Sequence, residues 1–161
     1  MALEKAQFIS DDSNVATIEF LFNPTTITVK RSFNAEDEPG TGGGGLPKVN
    51  YKGPCSAEVT LSEVILDTYE TGVDVMTYIT KFETALEKNE SLGRPPIYTL
   101  TWGSKKYIKC FITSLTYQLT RFYSDGVPVQ AKITNLTMKE VETLTSTVSS
   151  TSYDTTNRSA R

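Results

Sequence analysis

Four carboxylates lie close together in the sequence and could perform acid–base chemistry: Glu58, Glu63, Asp67 and Glu70. Paired carboxylates do such work when their surroundings push their pKa values apart. Glu58 falls on the polar face of an alternating segment, and Glu70 lies in a predicted loop that leads into a helix. Because nothing in the sequence separates these groups from solvated surface charges, we predict no catalytic residue and no enzymatic activity.

Two acidic runs could suggest a calcium loop, namely Asp11-Asp12 and Glu36-Asp37-Glu38. Neither run has the spaced oxygen ligands of a calcium-binding motif. The chain also contains no histidine, which is the commonest metal ligand and general base. We therefore expect no metal site and no cofactor.

A glycine-rich run at residues 40–45, Gly-Thr-Gly-Gly-Gly-Gly, could imitate a phosphate-binding loop. Such a loop ends in Lys-Ser or Lys-Thr and opens a helix. Here the run continues as Leu46-Pro47-Lys48 toward a predicted strand. Ordering so many glycines costs much backbone entropy. We therefore predict a flexible loop over residues 36–48 that becomes ordered against a partner.

Composition indicates one globular domain with an ordinary core. The chain has 161 residues, is 38% hydrophobic and carries a net charge of −3, so no basic excess points to nucleic acid. The N-terminal sequence lacks a signal-peptide core, and no stretch is long and apolar enough to insert into a membrane. We expect synthesis and assembly in the cytoplasm. The two cysteines, Cys55 and Cys110, are interpreted as half-buried thiols, and the sequence leaves open whether they ever pair.

Three aromatic residues flank one predicted turn: Tyr98, Trp102 and Tyr107. Cross-strand packing is the favoured interpretation. A sugar- or peptide-binding surface and a contact between subunits are the alternatives.

Alternating apolar and polar residues predict strands over residues 15–22, 26–33 and 51–66. In the first, Ile18, Phe20 and Phe22 are expected to share a face, and Asn23-Pro24 ends the strand.

Apolar residues at helical spacing then predict one helix, with Val75, Ile79, Phe82 and Leu86 on its core face. A cap at Thr71 or Gly72 begins it, and Gly93 ends it.

Strands follow over residues 97–102, 106–123 and 128–141, the last two joined by a turn at Ser124-Asp125-Gly126. Residues 1–141 thus form the predicted β domain. Residues 142–161 are rich in Ser and Thr and are predicted to be a flexible tail.

Two segments carry a resemblance to a known family. Residues 18–24, Ile-Glu-Phe-Leu-Phe-Asn-Pro, followed by Ile27-Thr28-Val29, resemble the opening of tube and baseplate-adaptor proteins of phage-like contractile injection systems, in which an aromatic-Asn-Pro corner ends the first strand. Residues 112–117, Phe122 and residues 125–131, Asp-Gly-Val-Pro-Val-Gln-Ala, followed by residues 136–140, resemble the closing hairpin of that family. The resemblance spans residues 7–141.

The resemblance implies a mainly β (α+β) fold: a tail-tube-like, two-sheet β-sandwich or barrel with one flanking α-helix. It also implies a hexameric ring of copies of this chain that joins the baseplate hub to the inner tube. The implied partners are a VgrG-like spike hub protein, the inner tube protein, and baseplate and sheath subunits. Adaptor members often carry a LysM module after the closing hairpin, whereas this chain has only the Ser/Thr-rich tail, so an inner-tube or tube-terminator subunit is an alternative.

The predicted subunit interface combines the Asn-Pro corner, the glycine-rich loop and the closing hairpin turn. Its residues are Phe22, Asn23, Pro24, Glu36, Asp37, Glu38, Gly42, Gly43, Leu46, Asp125, Gly126 and Pro128. A different class of function remains open, a monomeric β-barrel that binds a small apolar ligand in a cavity. That cavity would be lined by Phe20, Phe22, Phe111 and Tyr117.

Overall fold

A computed structural model describes residues 2–38 and 45–142. In this part of the chain there are ten strands and one helix. In chain order they are β1 (Ala6–Ser10), β2 (Ile18–Glu19), β3 (Thr26–Lys30), β4 (Phe33–Glu38), β5 (Lys48–Pro54), β6 (Glu58–Ser62), β7 (Val64–Asp67), α1 (Met76–Leu86), β8 (Tyr98–Trp102), β9 (Lys105–Phe122) and β10 (Pro128–Glu140). Within the described residues, no helix is both long and apolar enough to cross a membrane.

Eight of the strands form one antiparallel sheet in the order β2-β1-β8-β9-β10-β6-β3, with β7 also paired to β10. Phe8 on β1 and Leu61 on β6 lie far apart in this order but belong to a single buried cluster, so the sheet curls around one core. Strands β4 and β5 form a second, two-stranded sheet. The predicted mainly β class with one flanking helix and two sheets is confirmed.

The two longest strands, β9 and β10, form the centre of the large sheet. Their pairing runs from Pro128 opposite Phe122 to Glu140 opposite Cys110, with register shifts at four places. Such irregularities bend long strands and increase their twist. This bending lets β10 pair with both β6 and β7 on its other side.

The helix covers the core with Ile79, Phe82 and Ala85, which are all buried. It begins later than predicted, because the Asp74 carboxylate accepts a hydrogen bond from the Met76 N–H at 2.9 Å. Thr71 and Gly72 instead belong to a turn, in which the N–H groups of both residues donate to the Thr68 carbonyl. The helix also ends earlier, at Leu86.

The segment after the helix is a turn that the sequence pattern did not predict. The Asn89 side-chain oxygen accepts hydrogen bonds from the Ser91 and Leu92 N–H groups. Gly93 lies in the left-handed region with φ of 70° and therefore ends this turn and not the helix. Local side-chain bonding by Asn competes with helix continuation in this way.

A cluster of phenylalanines joins the N-terminal strand to the helix. The ring centroids of Phe8 and Phe20 are 5.4 Å apart, and those of Phe20 and Phe82 are 5.7 Å apart. All three side chains are almost fully buried. Aromatic pairs at these separations add stabilisation beyond the area that they bury.

The predicted first strand is largely wrong. Only Ile18–Glu19 is a strand, and the longer β1 precedes it. Phe20 is buried whereas Phe22 is 52% exposed, so the two do not share a face. The Phe20 N–H still donates to the Ala6 carbonyl, in register with the β1–β2 pairing, and the chain leaves β1 after this residue.

The predicted strand over residues 51–66 is three strands. Glu63, with φ of 56°, separates β6 from β7, and residues 55–57 separate β5 from β6. The predicted loop over residues 36–48 is shorter at both ends, because Glu36, Asp37 and Glu38 belong to β4 and Lys48 begins β5. Cross-strand pairing holds these ends extended.

Asp12 ties the N-terminal strand to the segment before β8. Its carboxylate accepts hydrogen bonds from Arg94 Nη1 and Nη2 at 3.0 and 2.7 Å, and from the Ile97 N–H at 2.8 Å. The bond from Arg94 is the main cause that lowers the pKa of the Asp12 carboxyl below its usual value. Bidentate pairs of this kind are the stronger ion pairs.

We predict that Asp12→Asn lowers the free energy of unfolding by about 1–2 kcal/mol at pH 7, because it removes a charge-assisted, partly buried contact. The folded-state pKa of Asp12 lies below its unfolded value of about 3.9. The contribution of the carboxylate to the free energy of unfolding is therefore complete above the unfolded pKa and is lost as the pH falls through the folded pKa. Urea unfolding from pH 7 to pH 3 measures this.

The difference between wild type and Asp12→Asn should therefore shrink below about pH 4. Glu19→Gln is the matched control, because Glu19 is exposed and lies 3.9 Å from Lys5, and it should change stability little at any pH. A difference for Asp12→Asn that stays constant down to pH 3 would contradict this account.

Candidate assembly surfaces

Strands β4 and β5 form an arm, defined as residues Phe33–Glu38 and Lys48–Pro54, that stands away from the curled sheet. No residue of the arm is buried, and none belongs to the core cluster. At its base, the Cys55 N–H donates to the Ser32 carbonyl at 3.1 Å, and the Cys55 thiol donates to the Asn34 side-chain oxygen at 3.0 Å. These bonds close the base of the arm, where both of its strands join the rest of the chain.

The arm has one apolar and one charged face. Ala35 lies opposite Tyr51 and Asp37 opposite Val49, and the rings of Phe33 and Tyr51 are 5.7 Å apart, so these five side chains share the apolar face. The opposite face carries Asn34, Glu36, Glu38, Lys48, Asn50 and Lys52.

The apolar face of the arm has nothing to cover it in the described chain. Phe33, Val49 and Tyr51 are 58%, 62% and 67% exposed. An isolated two-stranded hairpin is marginally stable in water, and clustered exposed apolar residues mark contact surfaces. The arm is therefore a surface suited to being covered by another chain.

Several predicted interface residues lie at or near the arm. Glu36, Asp37 and Glu38 are exposed on β4, and Leu46, just before β5, is 95% exposed. Gly42 and Gly43 lie outside the described residues, as do residues 143–161 of the predicted tail.

The Asn23-Pro24 corner has an internal structural role. Asn23 Oδ1 accepts a hydrogen bond from the Ala6 N–H at 2.8 Å, and Asn23 Nδ2 donates to the Glu4 carbonyl at 2.9 Å. Pro24 is buried, whereas Phe22 beside it is exposed. The corner fixes the chain ahead of β1, and a contact of Asn23 or Pro24 with another subunit stays a prediction.

The predicted turn after β9 also serves the fold. Gly126 has a φ of 90°, and the Asp125 carboxylate accepts a hydrogen bond from the Val127 N–H at 3.1 Å. The Pro128 carbonyl accepts from the Val75 N–H at 3.0 Å, which links β10 to the start of the helix. Asp125 and Gly126 remain exposed, so both are accessible to a partner.

The carboxylates considered for chemistry do not converge. Glu63 pairs with Lys132 at 3.3 Å, and Asp67 accepts a hydrogen bond from the Tyr69 N–H. Asp11 pairs with Lys109 at 2.8 Å. Across residues 2–38 and 45–142, no three acidic or cysteine side chains are grouped as a metal ion would require.

The residues proposed for an apolar ligand cavity also do not face one space. Phe20 is buried in the phenylalanine cluster and Phe22 is exposed. Phe111 alternates with the buried Cys110 and Ile112 and so points away from the core. Tyr117 is half-buried and donates a hydrogen bond to Glu83 at 2.9 Å.

The aromatic trio at the β8–β9 turn is split between core and surface. Tyr98 is buried, and the half-buried Trp102 donates through Nε1 to the Glu4 carbonyl at 3.1 Å. Cross-strand packing thus accounts for these two residues. Tyr107 is 41% exposed, and Lys105 Nζ lies 5.2 Å from the centre of its ring.

The structure contains a second exposed aromatic surface, which the sequence pattern does not predict. We define the aromatic–arginine patch as Phe22, Tyr69, Arg121 and Tyr123. The Arg121 guanidinium lies 3.7 Å from the centre of the Tyr69 ring, and the Tyr69 and Tyr123 rings are 5.5 Å apart. The patch joins a loop before the helix to the end of β9, so only the fold brings its members together.

One edge of the large sheet is also open. Strand β3 ends the sheet order and pairs only with β6 among the described strands. Its residues are mostly exposed, and Val29 is 50% exposed. An unprotected edge strand presents free backbone donors and acceptors to another chain.

An exposed apolar arm and an open sheet edge are features of proteins that assemble through their surfaces. A family model described as contractile injection system tube protein matches residues 1–149. The chain therefore belongs to the contractile injection system tube protein family and has a structural role in such a system, in which it assembles with other subunits. A comparison with curated proteins found no match.

The two cysteines are predicted to differ strongly in reactivity. Burial raises the pKa of the Cys110 thiol to about 12, so its thiolate is scarce at neutral pH. Cys55 is half-buried at the base of the arm. We expect one thiol to react with a disulfide reagent in the folded protein at pH 8, and the second only after unfolding.

Cys55→Ser should abolish the reaction of the folded protein, whereas Cys110→Ser should leave it unchanged. Reaction of both thiols at similar rates without denaturant would contradict the packing around Cys110.

Proposed function

We propose that this chain forms a hexameric ring that joins the spike and baseplate hub to the inner tube of a contractile injection system. Membership of the tube protein family supports a place in the particle. The observation that supports the proposed self-assembly is the exposed apolar face of the arm. Phe33, Val49 and Tyr51 are all more than half exposed. Neighbouring subunits would remove this surface from water.

The sheet edge supports a closed arrangement. A ring covers the edges of its subunits by repeating one head-to-tail contact until it closes. The open side of β3 provides such an edge, and its Lys30 end lies next to the base of the arm. We propose that the hub protein, the tube protein and other baseplate or sheath subunits contact the remaining faces, and we assign no catalytic role.

The family description favours a second candidate, a subunit of the inner tube itself. The two candidates differ in copy number. A tube subunit should increase in number with particle length, whereas a hub adaptor should be present in one ring whatever the length. Quantitative mass spectrometry of particles separated by length distinguishes these cases.

The arm supplies the test of assembly. The double variant Phe33→Ser, Tyr51→Ser should fold as well as wild type, because neither residue belongs to the core. It should no longer sediment with sheathed particles, because the apolar contact is lost. The measurement is co-sedimentation of tagged protein with particles, together with thermal unfolding of the free chain.

The double variant Glu36→Gln, Lys52→Gln is the matched control, because it changes only the charged face of the arm. It should sediment with particles as wild type does. Tagged wild-type protein that never sediments with sheathed particles would refute the proposal.

A further inference from the structure

The geometry points to a specific contact between copies: the apolar face of the arm docks on the basic turn of a second copy of this chain. We define the basic turn as Lys105, Lys106 and Tyr107, at the start of β9. The inference rests on the proposed function, because it names the receiving surface for the arm within the assembly.

The arm carries an acid at the end of its apolar face that is furthest from the base. Asp37 lies opposite Val49 on the face that also holds Phe33 and Tyr51. The carboxylate of Glu36 on the other face is already paired with Lys52 at 2.8 Å. Asp37 forms no ion pair with any residue that the structure describes. A surface that covers this face should therefore combine aromatic or aliphatic contact with a cation.

The basic turn has this combination. Lys105, Lys106 and Tyr107 are all exposed, and neither lysine forms an ion pair within residues 2–38 and 45–142. Ile9, which is 38% exposed, adds an apolar side chain on the same side, because it lies opposite Thr99, and Thr99 lines one surface hollow with Lys106 and Tyr107.

Two acids that line the hollow beside the basic turn already have partners, and Glu4, whose side chain lies beside Gly103, forms no ion pair with either lysine among the described residues. Asp11 pairs with Lys109 at 2.8 Å and accepts a hydrogen bond from the Thr99 hydroxyl at 2.9 Å. Glu140, in the same hollow, accepts a hydrogen bond from the Ala57 N–H at 3.0 Å. The two lysines of the turn are therefore available to an incoming carboxylate.

The aromatic–arginine patch is a poorer match for the arm. Its hollow is lined by Asp67 and Glu70 as well as by Arg121. Asp37 would meet charges of its own sign there, and like charges brought together across an interface cost several kcal/mol. Charge thus discriminates between the two exposed aromatic surfaces, and it favours the basic turn.

The arm and the basic turn are different surfaces, so their contact is head-to-tail. Such a contact between identical chains either closes into a ring or continues as a filament. Among the described residues, no hydrogen bond, ion pair or ring contact joins the arm to the basic turn. The contact can therefore form between chains and leave every fold-stabilising contact unchanged.

The test is a charge exchange scored by incorporation into particles. Asp37→Lys, and separately the double variant Lys105→Glu, Lys106→Glu, should each lower the number of copies per particle at least about tenfold, because each places like charges opposite one another. All three changes in one chain should restore the number to within about threefold of wild type. Arg121→Glu, in the other patch, is the matched control and should leave incorporation unchanged.

A cross-linking measurement covers the case in which a reversed charge disturbs folding. In a Cys55→Ser background, chains with Asp37→Cys are mixed with chains carrying Lys106→Cys before assembly. A disulfide-linked dimer that forms only in the mixture supports the contact between copies. Provided that wild type assembles, either of two results overturns the inference. One is the absence of this dimer in assembled particles, and the other is unchanged incorporation of both reversed-charge variants. Failure of wild type to enter particles refutes the proposed function itself.

Discussion

One constraint governs the structure outside its core: the arm exposes an apolar face that its own chain does not cover. Phe33 and Tyr51 contact each other but leave most of their surface in water. Exposed apolar surface is unfavourable, and a two-stranded sheet gains little from hydrogen bonds that water can replace. The body, in contrast, is complete without the arm. The fold thus separates a buried core from an exposed apolar surface, and we propose that assembly covers that surface.

The body is held together by contacts that do not involve the arm. The phenylalanine cluster joins β1, the residue after β2 and the helix in one core. Asp12 and Arg94 tie the N-terminal strand to the segment before β8 with two hydrogen bonds, and Asn23 fixes the corner before β3. These contacts all lie within one chain. The Asn23-Pro24 corner, which resembles a family motif, therefore stabilises the fold of the subunit itself.

The sequence predicted the elements whose pattern is long and local. The helix stripe, the β9–β10 hairpin and its Asp125-Gly126 turn follow from periodicity and turn chemistry. The sequence did not predict the features that depend on contacts between distant residues. Strand β1 pairs with β8, about ninety residues away, and Phe20 is buried whereas Phe22 is exposed. The arm had a usable signal, since Phe33, Val49 and Tyr51 alternate with polar residues on both sides of the glycine run. The aromatic–arginine patch had none, because only folding brings Tyr69 to Arg121.

Hydrogen–deuterium exchange of the arm amides, in the isolated chain and in assembled particles, tests the central claim most directly. In the isolated chain, amides of Phe33–Glu38 and Lys48–Pro54 should exchange far faster than those of β9 and β10, because no packing protects them. In particles the same amides should become strongly protected. Arm amides that exchange as quickly in particles as in the isolated chain would contradict the account.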